Sequence, residues 1–182
     1  MMTRLLSFAR RRGPGARALV VLAALLPGTR LAQAQTADTY AFAPSAGTFA
    51  PLPATATNVP AVQADDALSG TLPLGFTFVF DGASYTSCAV SSNGWLTFNP
   101  TAAGSSLTND LATGAASERP RVAPFWDDLD GRTGGVASYL TTGTAPNRTF
   151  TFEWLNWYRY GNASVPSFSM QVQLVEGSNV VR

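Results

Sequence analysis

The stretch RVAPFWDDLDG, residues 121–131, takes an apolar, strand-like run directly into three carboxylates and a glycine. An apolar run that ends in Asp and Gly is typical of a strand that leaves the core and enters a turn. Short segments with a strand pattern lie on both sides of it. The stretch therefore predicts a β protein in which an acidic loop follows a buried strand.

Two hairpin patterns precede the acidic stretch. Residues 76–80 alternate Phe with Thr and Val, and an Asp-Gly pair follows at 81–82. Residues 85–91 give the next strand pattern, and an Asn-Gly pair at 93–94 leads into the apolar residues 95–98. Asp-Gly and Asn-Gly pairs between such runs are strong hairpin signals. We predict a three-stranded meander here.

The strand pattern returns after the acidic stretch. Residues 136–140, 149–155 and 168–174 are strand-like, the last two with strict alternation, and turn residues at 176–179 precede a short pattern at 180–182. Residues 35–182 contain no helical period of ten or more residues. Short strands separated by turns predict an all-β fold, an antiparallel β-sandwich or jelly-roll-like arrangement.

Two segments fit this pattern less well. Residues 99–118 hold only two large apolar side chains and predict a long surface loop, a type of segment that is often functional. Near the start of the mature region, Tyr40 and Phe42 alternate and predict a short strand. Asp65 and Asp66 are interpreted as a turn.

Residues 1–34 have the parts of a cleavable export signal: an arginine-rich start, an apolar run at 18–26 and the small-x-small pattern Ala-Gln-Ala at 32–34. The apolar run is shorter than the roughly 20 residues of a membrane-spanning helix. We predict a signal peptide at 1–34 and one β-sandwich domain at 35–182, without a membrane span in the mature chain. The mature chain holds six arginines against eleven carboxylates, a net charge of −5, which argues against nucleic acid as a partner.

Composition also limits the chemistry. The chain has no histidine, which excludes histidine-dependent nucleophile systems and histidine-ligated metal sites. Cys88 is the only cysteine, so no intrachain disulfide forms, and its place in a strand pattern predicts a small buried side chain. We expect no enzyme activity and no required cofactor.

The segments SSNGWLTF, RVAPFWDDLDG and TFTFEWLNW, in that order, resemble a class of exported β-sandwich proteins from gliding-type Bacteroidota. The APFWDDLD portion is also similar to the nidogen-type extracellular β domain. The resemblance implies an extracellular module and carries over no catalytic residue. Such exported proteins often carry a carboxy-terminal sorting domain. Because the pattern at 180–182 opens a strand that stops, we expect a longer chain with a truncated sandwich here.

Asp127, Asp128 and Asp130 are the candidate metal ligands. Calcium takes six to eight oxygen ligands, commonly from closely spaced aspartates in a loop that contains glycine. The three carboxylates therefore make calcium the candidate metal. The alternative is a solvated turn whose aspartates accept backbone N–H bonds.

Glu153 is the candidate catalytic carboxylate. With an aspartate of the acidic loop it would form the carboxylate pair of a glycosidase. Alternation, however, places Glu153 on the face opposite Phe150, Phe152 and Trp154. The sequence therefore favours an outward, solvated glutamate over a catalytic one.

Trp157, Tyr158 and Tyr160 are the candidate ligand residues. Exposed aromatic rings at the end of a sandwich stack on sugar rings, since each is a flat apolar body with a polar tip. The alternative is that Trp154 is core and the other three cap the sandwich. We expect an exported, non-catalytic adhesion or matrix module that binds an extracellular protein or glycan. A carbohydrate-binding module or glycoside hydrolase-like protein is the alternative.

Overall fold

The computed structural model describes residues 40–110, 116–162 and 167–182. The predicted signal peptide lies outside the described residues, so its export role stays a prediction. Within the described residues there are ten β-strands, two short 3-10 helices (Pro60–Gln63 and Ala116–Glu118) and no α-helix. The predicted all-β, antiparallel sandwich is confirmed. In that same part of the chain no helix has the length and apolar character to cross a bilayer.

Five of these strands have seven to eleven residues, and the other five have two residues each. In chain order they are β1 (Thr57–Asn58), β2 (Leu72–Phe80), β3 (Ala83–Val90), β4 (Leu96–Thr97), β5 (Arg121–Val122), β6 (Leu129–Asp130), β7 (Val136–Thr142), β8 (Thr149–Arg159), β9 (Phe168–Val175) and β10 (Val180–Val181). One sheet has the order β2-β3-β4-β5. The other has the order β1-β7-β8-β9-β10, and β6 pairs with the far end of β8.

The stretch 121–131 joins the two sheets. It begins as β5 at the edge of the four-stranded sheet and ends in β6, which pairs with β8 in the other sheet. Between them, residues 123–125 are exposed, so the predicted buried strand is wrong beyond Val122. Trp126 and Leu129 return to the interior at 8% and 0% exposure. The apolar character of the stretch reflects a crossing between sheets.

The core lies between the sheets and is built by alternation. The fully buried side chains facing inward include Leu74 and Phe78 of β2, and Phe150, Phe152 and Trp154 of β8. Burial of each such side chain stabilises the fold by about 1.5–3 kcal/mol. Cys88 is buried as predicted, and burial raises the pKa of its thiol, so the side chain packs as a neutral group.

The two predicted hairpins are both present. Asp81 and Gly82 have φ of 48° and 75° and form the two-residue turn between β2 and β3. The Asn93-Gly94 hairpin is wider, because Ser91 pairs with Trp95 and Gly94 alone has positive φ. A Cβ on Gly94 would lie 1.9 Å from the carbonyl oxygen of Phe125, so the crossing stretch packs directly on this turn.

Two predicted segments differ from the structure. No strand forms at Tyr40 and Phe42: the Tyr40 ring packs on Phe80 at 5.2 Å, whereas Phe42 is 91% exposed. Residues 99–110 form a loop as predicted, whereas residues 111–115 lie outside the described residues and Ala116–Glu118 form a short 3-10 helix that is anchored in the interior. Its Glu118 side chain is 1% exposed, so the description of the whole segment as a surface loop is wrong at that end.

Candidate functional site

Strand β8 carries most of the residues that the sequence offered as functional. Up to Trp154 it alternates strictly, and its register with β9 then shifts between Trp154 and Trp157. Asn156 adopts a φ of 58° in this irregular segment. An inserted residue of this kind re-aims the side chains that follow it in a strand. The bulge therefore turns Trp157 back towards the core.

Trp157 is a core residue. Its side chain is 0% exposed, and its indole N–H donates to the carbonyl oxygen of Ser92 at 3.0 Å. Gly131 and Gly135 lie against its ring, where a Cβ on Gly131 would come within 2.5 Å of Cζ2. As a correction to the sequence interpretation, Trp157 offers no exposed ring to a ligand. Trp154, predicted to be core, is also fully buried.

Glu153 lies on the outer face of β8, as alternation predicted, but it is only 1% exposed. The chain before β1 crosses this face and covers it. The backbone N–H of Leu52 donates to both carboxylate oxygens of Glu153, at 3.0 and 3.2 Å. The Gln171 amide donates to Glu153 at 2.7 Å and to the carbonyl oxygen of Ala50 at 2.9 Å. The outward orientation of Glu153 is therefore as predicted, whereas its expected exposure to solvent is wrong.

The contacts of Glu153 determine what it can do. Within the described part of the chain, its carboxylate accepts hydrogen bonds from the Leu52 backbone amide and from the Gln171 side-chain amide. A buried carboxylate is stable when such donors replace its water. Glu153 therefore fastens residues 50–52 onto the sheet.

Glu118 is a second buried carboxylate, and the sequence pattern did not identify it as a candidate. Glu118 pairs with Arg121 and also accepts the backbone N–H of Ser106 at 3.1 Å. The Arg121 guanidinium lies between the rings of Trp95 and Trp126, 4.2 and 4.0 Å from their centroids. Both indole N–H groups donate to the carbonyl oxygen of Ser106, at 2.9 and 2.8 Å. This cluster anchors the long loop to the end of the four-stranded sheet.

The acidic stretch divides into paired and converging carboxylates. Asp127 pairs with Arg159 at 2.6 Å, and Asp130 pairs with Arg132 at 2.7 Å. Asp130 also accepts the backbone N–H of Arg132 at 2.8 Å. Asp128 instead has several other carboxylates as its neighbours. The three predicted metal ligands thus have different surroundings.

Asp128 meets Asp65 and Asp66, which lie far from it in the chain. One carboxylate oxygen of each lies within 4.8 Å of the other two. Asp65 and Asp66 do form a turn, as predicted, but no sequence pattern indicates that this turn meets the acidic stretch. The side chain of Asn93 donates to Asp66 at 2.8 Å and its carbonyl accepts the N–H of Leu129 at 2.9 Å, which ties the two segments together.

The electrostatics follow this division. Partial burial, reinforced by Asp66, Asp65 and the other nearby carboxylates, raises the pKa of Asp128. Burial also raises the pKa of Asp65, against the attraction of Arg132. The hydrogen bond from Arg132 lowers the pKa of Asp130. Negative charge is therefore stabilised at Asp130 and opposed at Asp128.

Among the described residues, Asp65, Asp66 and Asp128 are the carboxylates placed to reach one cation together. Three carboxylates supply only part of the six to eight oxygens that calcium takes. Asp127 and Asp130 would have to exchange their arginine partners for the metal. Calcium binding at Asp127, Asp128 and Asp130 stays a prediction.

A cleft of about 290 Å³ lies beside this cluster, between the β6–β7 turn and the end of β8. Its walls include Arg132, Tyr158, Arg159 and Tyr160. Tyr160 is 50% exposed, and the Arg132 guanidinium lies 5.5 Å from the centroid of its ring. Two of the three predicted ligand residues, Tyr158 and Tyr160, therefore share a concave surface.

Comparison with protein families matches residues 39–182 to the family described as NIDO related, in which NIDO denotes the nidogen-type domain. The chain belongs to the NIDO-related family. No curated protein and no solved structure matches it significantly. The NIDO-related region includes all ten strands, both buried glutamates and the cleft. The nidogen-type part of the resemblance is thus confirmed, and a Bacteroidota origin stays a prediction.

Proposed function

We propose that this NIDO-related chain is an exported extracellular β-sandwich module with a non-catalytic adhesion or matrix role. The observation that supports it most is the state of Glu153. The glutamate that the sequence offered for glycoside hydrolysis is buried and holds residues 50–52 against the sheet. A glycosidase needs two carboxylates that flank a substrate across roughly 5–9.5 Å. Glu153 serves the fold instead.

The other carboxylates of the acidic stretch also support a non-catalytic role. Asp127 and Asp130 each form an ion pair with an arginine. Asp128 converges with Asp65 and Asp66, with one carboxylate oxygen of each within 4.8 Å of the other two, which leaves little room for a sugar ring between them. The membership of the nidogen-related family supports an extracellular setting.

Incubation of the purified chain with a panel of polysaccharides and extracellular matrix proteins tests the role. We expect retention on at least one polymer, measured by co-sedimentation, without release of reducing ends or peptide fragments. Cleavage that is lost in Glu153→Gln or Asp128→Asn, with the variant still folded, would overturn the non-catalytic role. Retention on none of the polymers would count against adhesion.

Export has its own test. We expect mass spectrometry of exported material to find an amino terminus at Gln35 or within a few residues, because the small-x-small pattern ends at Ala34. Material outside the cell that still begins at Met1 would contradict cleavage of a signal peptide at 1–34.

A further inference from the structure

We propose that the cleft between the β6–β7 turn and the end of β8 binds a neutral pyranose sugar, with the Tyr160 ring as its stacking platform. This inference rests on the proposed adhesion role and names the class of ligand. The cleft combines an exposed aromatic ring with two arginines that are held by carboxylates. These are the groups that recognise the apolar face and the hydroxyl rim of a sugar.

The Tyr160 ring is exposed but held in place. Half of its surface is accessible, and its backbone N–H donates to the carbonyl oxygen of Asp128 at 2.9 Å. Arg132 lies near the ring at 5.5 Å from its centroid. A ring that is already oriented loses little conformational freedom when a ligand stacks on it. The C–H face of a pyranose is apolar and covers such a ring.

The polar groups of the cleft are also oriented in advance. Arg132 donates from Nε and Nη2 to both oxygens of Asp130, at 2.7 to 3.1 Å. The Arg159 side chain is paired with Asp127 but remains 64% exposed. Planar guanidinium and carboxylate groups bond two adjacent hydroxyls at once. The cleft therefore presents donors and acceptors around the stacking platform.

The support beneath the cleft is closely packed. The β6–β7 turn packs on the buried Trp157 ring through Gly131 and Gly135, where added Cβ atoms would come within 2.5 to 3.0 Å of that ring. Tyr158 belongs to the same strand as Trp157 and pairs with Asp130 in β6. Preformed clefts supported in this way are typical of small-ligand sites.

Size and charge narrow the ligand class. A volume of about 290 Å³ accommodates one sugar ring and is small for a folded or extended polypeptide. The cleft and its surroundings hold two arginines, Arg132 and Arg159, and a larger group of carboxylates. Those carboxylates are Asp65, Asp66, Asp127, Asp128 and Asp130. This excess of negative charge repels an acidic sugar, so a neutral one fits better.

Saturation-transfer NMR on the purified chain tests the assignment. The probes are methyl glycosides of glucose, galactose, mannose and N-acetylglucosamine, with methyl glucuronide as the acidic comparison. We expect transfer to at least one neutral glycoside with a Kd of about 1 mM, the weak range for a single exposed ring. Transfer only to the glucuronide, or to none of the probes, would overturn the proposal.

Variants then locate the site. Tyr160→Ala should weaken binding at least about tenfold, and Tyr160→Phe should retain most of it because the ring remains. Phe42→Ala is the matched control, since Phe42 is an exposed aromatic residue outside the cleft. Binding that survives Tyr160→Ala, or that falls equally in Phe42→Ala, would overturn the site. If the chain neither binds a sugar nor cleaves a polymer, the sugar site is overturned but the proposed non-catalytic role is not. If the chain cleaves a polymer, the non-catalytic role is itself overturned.

Discussion

The two halves of strand β8 have different structural environments. Residues 149–154 are packed on both faces: Phe150 and Trp154 point into the core, and Glu153 is covered by residues 50–52 on the outside. Beyond the bulge, one face still packs through Trp157, while the other opens into the cleft at Tyr158. The first half is structural and the second half is available for binding.

The difference comes from what pairs with each half. Strand β7 pairs with residues 149–155, and the two-residue strand β6 replaces it at residues 158–159. Because β6 is short and is followed at once by the β6–β7 turn, it leaves a gap beside the end of β8. A bulge at Asn156 therefore separates a fully paired segment from one that borders a cleft.

The largest expected effect on stability is in the first half of β8. Glu153→Ala should lower the free energy of unfolding by about 2–4 kcal/mol, because it leaves the Leu52 N–H and the Gln171 amide without acceptors under a covered face. Urea denaturation measures this. Glu153→Gln should cost less, since one side-chain oxygen remains to accept Leu52. A loss below about 0.5 kcal/mol for the alanine variant would mean that the hydrogen bonds of Glu153 contribute little to stability.

The bulge itself is the next test. Asn156→Val should destabilise the chain by about 1–2 kcal/mol, because a β-branched residue is strained at a φ of 58°. Asn156→Gly is the matched control and should stay within about 0.5 kcal/mol of wild type, since glycine adopts positive φ freely. Thermal unfolding of both variants compares them directly. Equal stability of the two variants would show that the bulge relaxes without strain.

For the acidic loop we expect two smaller effects on stability, which depend on pH and have opposite signs. Asp130 has a lowered pKa in the fold, so its contribution is present above the unfolded value of about 3.9 and is lost as the pH falls through the folded pKa. Asp128 has a raised pKa, so its ionisation opposes folding once the pH rises through that value.

At pH 7 we therefore expect Asp130→Asn to destabilise the chain and Asp128→Asn to stabilise it. Each change should stay below about 1 kcal/mol, because solvent screens charges at the surface. As the pH falls from 7 towards 3, the urea midpoints of both variants should approach that of wild type. Changes of the same sign in the two variants would contradict the division between paired and converging carboxylates.

Calcium should have the smallest effect. Asp127 and Asp130 already bind arginines, so we expect millimolar calcium to shift the melting temperature by no more than about 1 °C. A scan in calcium and again in chelator checks this. Glu176, which follows β9 and pairs with Arg148, is the control carboxylate outside this loop. A chelator-sensitive melting temperature that Asp128→Asn abolishes, and that Glu176→Gln leaves intact, would establish a calcium site at this loop.

The structural features that the sequence predicted correctly are those set by local sequence patterns. The alternation in β2, β8 and β9, the Asp81-Gly82 turn and the burial of Cys88 depend on neighbours in the chain or on strand periodicity. The family resemblance of the acidic stretch also held, because it rests on a contiguous motif. Alternation even placed Glu153 on the correct face of its strand.

Contacts between residues far apart in the chain could not be predicted from these local patterns. Leu52, which covers Glu153, lies 101 residues earlier in the chain, and no periodicity connects the two. Asp65 approaches Asp128 where Asn93, a third distant residue, links their segments through hydrogen bonds with Asp66 and Leu129. The burial of Trp157 depends on a bulge whose one sequence signal is Asn156, a residue type that tolerates positive φ.

The urea midpoint of Tyr160→Ala tests most directly whether β8 changes from a structural to a binding segment along its length. Tyr160 is half exposed, so the account predicts a free energy of unfolding within about 0.5 kcal/mol of wild type. Glu153→Ala, measured in parallel, should lose several times more. A loss in Tyr160→Ala as large as that of Glu153→Ala would show that the end of β8 is structural as well, and would contradict the division.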